Sequence, residues 1–172
     1  MNHFINALET SIQTENWYSV LFISLSLPDI CGKIDNPSAT SKQRTIEWFD
    51  KYLKPFYTRK IGPSQIEYTF LSGSDFYALR CAYLHEGSDD ITGQRAQETL
   101  ERFNFIQPNS GSCIHMNQSV KTLQLQVSVF GKEILTALKQ WTEDNKKDKI
   151  KQEKISKLLN IKIVDLSKGF SF

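Results

Sequence analysis

The chain has 172 residues, 40% of them hydrophobic and 12% aromatic, and a formal net charge of +2. That composition excludes a disordered or fibrous chain, and the length suffices for one domain with a core of its own, spanning 1–172. Near-neutral charge points neither toward nor away from nucleic acid. The charge is uneven, however: residues 145–158 carry six lysines against Asp148 and Glu153, a local +4.

Three cysteines, Cys31, Cys81 and Cys113, are too few and too widely spaced for a disulfide framework. The opening "MNHFINALETS" lacks a basic segment followed by an apolar run, and no apolar stretch approaches the ~20 residues that span a bilayer. The expectation is a cytoplasmic, soluble protein with reduced thiols and no membrane partner.

In chain order, Phe4, Ile5, Leu8 and Ile12 recur at helical spacing over 2–13. Asn16 can cap a second helix that is apolar nearly all round, with Trp17, Val20, Leu21, Phe22 and Leu25, as expected of a central helix. Pro28 is expected to kink or end it. Ser26 and Asp29 read as a capping box for a short further helix stopping at Gly32. A loop at 35–41 leads to a helix over 41–54, closed by Pro55.

"IEYTF" at 66–70 suits a short strand between turns. Ser74 or Asp75 is the expected cap of the next helix, and Gly87 its end. One or two helical turns are expected over 94–102. "RFNFIQP", "SCIHMNQ" and "LQLQVSVF" then alternate with period 2, which predicts a small antiparallel sheet over about 103–127. Residues 129–141 return to helical spacing. A basic helix over about 145–160 and a short strand, "IKIVDL", are expected to close the chain. The fold class is mainly α: a helical bundle with a small antiparallel β-hairpin or sheet inserted before the last long helix.

Chemistry concentrates in "LRCAYLHEG", residues 79–87. An arginine and a histidine with four residues between them, on a helix of an all-α bundle, resemble the hallmark of the HEPN superfamily. "NWYSVLFISLSLPDICGKID" and "WFDKYLKPFY" also resemble stretches of an uncharacterised bacterial family. The HEPN resemblance implies a helical homodimer and a metal-independent endoribonuclease of toxin or defence type. It implies RNA as substrate, a protein partner such as an antitoxin, and no cofactor. His85 would be the general acid or base and Arg80 the phosphate clamp, with Glu86 able to tune His85. Lys146, Lys147, Lys149 and Lys151 would meet RNA phosphates. Where active members often carry Asn, Asp or His after the arginine, this chain has Cys81.

Helix geometry opposes that reading. Five residues at roughly 100° each separate Arg80 from His85 by about 140°. Arg80 falls in the apolar stripe, where it needs a carboxylate, and Asp29, Asp35 or Glu47 could supply one. Two alternatives therefore stand beside the ribonuclease. One is a non-catalytic helical module for binding or dimerisation. The other is a zinc-stabilised structural protein, with Cys81 and His85 from the helix joining Cys113 and His115 from a strand.

Overall fold

The structure is a computed structural model and describes residues 1–109, 111–165 and 167. Six helices carry most of it: α1 (Asn2–Gln13), α2 (Trp17–Asp35), α3 (Ser41–Tyr52), α4 (Gly73–Glu86), α5 (Val127–Asn145) and α6 (Lys149–Ser156). Strands β1 (Thr58–Ile61) and β2 (Ile66–Thr69) form one hairpin. Strands β3 (Arg102–Ile106), β4 (Asn117–Ser119) and β5 (Thr122–Gln126) form a second sheet.

Helix α2 is the hub, touching α1, α3, α4, α5 and α6. Asn16 caps it by accepting the Ser19 N–H at 3.2 Å. Contrary to expectation, α2 runs through Pro28 and past Gly32. Leu25, Leu27, Cys31 and Ile34 are all buried around the proline. Their burial, at about 1.5–3 kcal/mol for each large side chain, outweighs the ~3 kcal/mol a mid-helix proline costs. Ser26 caps nothing; its hydroxyl donates to the Phe22 carbonyl one turn back, at 2.7 Å. Gly32 does not end the helix but lets α3 approach: a Cβ there would stand 2.6 Å from the Arg44 carbonyl oxygen.

The small sheet is mixed rather than antiparallel, in the order β3-β5-β4. β3 lies parallel to β5, with Phe103 opposite Leu123 and Phe105 opposite Leu125, while β4 is antiparallel to β5. Period-2 alternation specifies which side chains face the core and is silent on strand direction. The link 107–121 is long enough for a parallel return. Phe103, Leu123 and Leu125 are fully buried and seat the sheet on the helices.

Three other expectations fail. No helix forms over 94–102, where the backbone amides are spent on a side chain described below. Of "SCIHMNQ", only Asn117 and Gln118 are strand, at the start of β4. Residues 161–165 form no strand, and Leu166 lies outside the described residues.

Candidate functional site

Helix α4 starts where Ser72 accepts the Asp75 N–H at 3.1 Å, so the cap is Ser72 rather than Ser74 or Asp75. Asp75 serves another end. Its buried carboxylate accepts the backbone N–H groups of Glu98, Thr99 and Leu100 at 2.8, 3.2 and 3.3 Å. Three backbone donors satisfy a carboxylate that burial would otherwise penalise heavily. The helix ends at Gly87 in the left-handed conformation, φ 66°, which glycine adopts without steric cost.

Along α4, Arg80 faces inward and finds one of its three anticipated partners. Its Nη2 donates to Asp29 Oδ2 at 2.9 Å. Arg44 Nε of α3 donates to the other oxygen, Asp29 Oδ1, at 2.6 Å. Ser41 adds a hydroxyl at 3.0 Å. The side chains of Asp29 and Arg80 retain only 13% and 16% of their exposure. Arg80 also sits 5.9 Å from the Tyr77 ring centroid, and its Nε has no hydrogen-bond partner. This is an Arg–Asp–Arg triad joining α2, α3 and α4, with one uncompensated positive charge.

His85 lies at the last turn of α4, exposed, with no hydrogen bond or ion pair to any described residue. Glu86 accepts a hydrogen bond from Gln94 at 2.9 Å rather than meeting His85. Within one chain, the arginine is bound into the helix bundle while the histidine stands in solvent.

The zinc set is not assembled. Cys81 is half-buried, Cys113 exposed and His85 exposed. Among the described residues, no three His, Cys, Asp or Glu side chains are grouped so as to hold a metal. His115 has other partners. Its Nδ1 accepts the Gln126 N–H at 3.2 Å, and its Nε2 lies 3.3 Å from Glu133 Oε2. Tyr57 donates to the same carboxylate oxygen at 2.6 Å. Burial, with the Glu133 charge beside it, pushes the Tyr57 phenol well above its ordinary range.

The lysines divide. Lys151 donates to Asp35 at 2.6 Å and to Asn145 at 2.7 Å, and Lys154 donates to the Ile34 carbonyl at 3.0 Å. These bonds dock α6 on the C-terminal end of α2, where the helix dipole favours cations. Lys151 is thus a structural ion rather than a free phosphate contact. Lys146 pairs with Glu143. Lys147 and Lys149 are exposed and make no ion pair among the described residues.

Two concave regions matter besides. A polar cavity of about 420 Å³ includes Asp50, Lys54, Tyr68, Phe70, Glu98 and Gln118 in its lining, and neither Arg80 nor His85 reaches it. Burial, opposed by Lys54 and helped by Glu98, raises the Asp50 carboxyl above its usual range. The other region is apolar and follows the outer side of α2. Trp17, Tyr18, Leu21, Phe105, Ile106 and Val127 line a hollow of about 230 Å³ at its N-terminal half. Phe4, Phe22, Ile23, Leu27 and Ile30 line another of about 220 Å³ farther along. The sequence shows α2 to be apolar nearly all round, but not that one side stays uncovered. No described helix is long and apolar enough to cross a membrane.

Comparison of the chain with protein-family models, with curated proteins and with solved structures yields no match.

Proposed function

We propose that the chain is a non-catalytic helical binding module that self-associates as a homodimer through the N-terminal half of the outer face of α2. One observation carries this reading: a helix apolar nearly all round leaves one apolar side uncovered. Tyr18 remains 77% exposed on that side, beside Trp17 and Phe105. Contiguous exposed aromatic surface of this kind marks an interaction site. The apolar hollow beside Tyr18, walled by Trp17 and Phe105, offers a seat for a tyrosine from a second copy. Sedimentation equilibrium tests it. The wild-type chain is a dimer at tens of micromolar, and Tyr18→Glu dissociates at least tenfold more readily with an unchanged circular dichroism spectrum. A wild type that stays monomeric at ~100 μM refutes the reading.

A second reading is a HEPN-like, metal-independent endoribonuclease. It is favoured by the exposed, unengaged His85 at the end of α4 and by the excess positive charge of the Arg44–Asp29–Arg80 triad. His85 would take the 2′-hydroxyl proton and Arg80 would stabilise the crowded phosphorane, the two drawn from different copies. Purified protein incubated with total RNA and chelator, beside His85→Ala and Arg80→Ala, decides. RNA left equally intact by all three removes the ribonuclease.

A further inference from the structure

We propose that residues 159–164, "LNIKIV", fold back along their own chain into the apolar groove that α1 and α2 leave open at Phe4, Phe22, Ile23, Leu27 and Ile30. This contact goes beyond the self-association reading, which uses the Tyr18 end of the helix.

The segment and the groove are complementary, and among the described residues both stand open to solvent. Leu159, Ile161 and Ile163 are 75%, 80% and 98% exposed. They alternate with Asn160 and Lys162, so an extended backbone places three branched aliphatic side chains on one face and the polar ones on the other. The groove is lined almost wholly by apolar side chains, and its one hydroxyl, Ser26, is already bonded to the Phe22 carbonyl. Apolar side chains entering it leave no buried polar group of the protein unsatisfied. The segment's own N–H and C=O groups point sideways, at right angles to the side chains, and are left to water along the open groove.

The exit point of the chain fits. Helix α6 is tied to the end of α2 by Lys151 on Asp35 and by Lys154 on the Ile34 carbonyl. Ile155 and Leu158 pack on the core beside it. The segment therefore follows a helix held at the C-terminal end of α2, the end toward which the groove runs at Ile30. From Ile34 back to Phe22 the helix rises about 18 Å. Six extended residues reach about 20 Å, so 159–164 spans the groove and no more. Tethering at that point gives the segment an effective local concentration in the millimolar range, which favours its own groove over that of another molecule.

Full-length protein tests this. In methyl-labelled protein, nuclear Overhauser contacts are expected from Ile161 and Ile163 to the Phe4 and Phe22 rings. A synthetic peptide of residues 159–166, LNIKIVDL, is then titrated into two full-length proteins. It should bind an Ile161→Asp/Ile163→Asp chain, whose groove is vacant, at least tenfold more tightly than it binds wild type. Adding Phe22→Glu to that variant should abolish binding; Phe22 is half exposed, so the fold survives the change. Equal binding to the two chains, or binding that survives Phe22→Glu, overturns the proposal. A wild-type dimer that becomes a monomer in the Ile161→Asp/Ile163→Asp chain also overturns it, because the segment then sits in a second copy. Tyr18→Glu tests the self-association reading separately, and the two can fail independently.

Discussion

Asp29 holds Arg80 and Arg44 at once, one arginine on each carboxylate oxygen, at 2.9 and 2.6 Å. The consequence is asymmetric. Asp29→Ala leaves two half-buried guanidinium groups facing each other and costs about 3 kcal/mol, the low end for a buried pair because the site keeps some contact with water. Arg80→Ala leaves Asp29 still paired with Arg44 and costs about 1 kcal/mol. Urea unfolding of the two variants checks the order; equal losses would show that Arg44 does not compensate.

Gly32 sets the spacing of α2 and α3. A methyl group there meets the Arg44 carbonyl oxygen at 2.6 Å and the carbonyl carbon at 2.9 Å, both of them backbone atoms that cannot swing away. Gly32→Ala is therefore expected to destabilise the protein by about 1–3 kcal/mol, although alanine is the better helix former. A stability gain would mean that α3 can move aside.

Tyr57 and Cys31 make the fold sensitive to alkali. Burial raises both groups, helped by Glu133 for the phenol and by Asp35 for the thiol. A raised folded-state pKa contributes stability that is complete below the unfolded value. It is lost as pH climbs from there toward the folded one. The thiol begins to act near pH 8.5 and the phenol near pH 10. The melting temperature should fall across that window. Tyr57→Phe should lose about 1.5–3 kcal/mol at neutral pH, with the bond to a charged acceptor, and show a flatter fall above pH 10. An unchanged slope would place the alkaline loss elsewhere.

Lysines of the basic segment should separate by role. Lys151→Met removes the pair with Asp35 and costs about 1 kcal/mol, whereas Lys147→Met stays within about 0.5 kcal/mol. If the segment meets RNA, replacing Lys147 or Lys149 lowers the slope of log affinity against log salt by about one each. Replacing Lys151 leaves that slope as it was. Thermal melts and binding isotherms at several salt concentrations read the two effects independently.

Legibility followed the range of each interaction. The periodicity of Phe4, Ile5, Leu8 and Ile12 placed α1, the Asn16 cap placed the start of α2, and Gly87 placed the end of α4, because each signal lies within a turn of its effect. The demand of Arg80 for a carboxylate was also readable, since its place in an apolar stripe follows from the helix alone. Pro28 misled because its local cost is overridden by burial contributed by other elements. The second arginine on Asp29, the Tyr57–Glu133–His115 cluster and the parallel pairing of β3 with β5 left no local trace. Tyr57 and Glu133 are 76 residues apart, and nothing beside either names the other.

The three N–H bonds to Asp75 carry a consequence for exchange with solvent. The segment between α4 and β3 has no helix or strand, and amides in such connections ordinarily trade their protons within the time it takes to record a spectrum. Those of Glu98, Thr99 and Leu100 are directed at a carboxylate that is itself 1% exposed. They should retain deuterium or protium as stubbornly as the amides of the helix core. Release should come only in the opening that lifts the segment off the N-terminus of α4. A connection that looks irregular on a map of secondary structure is, on the clock of hydrogen exchange, part of the framework.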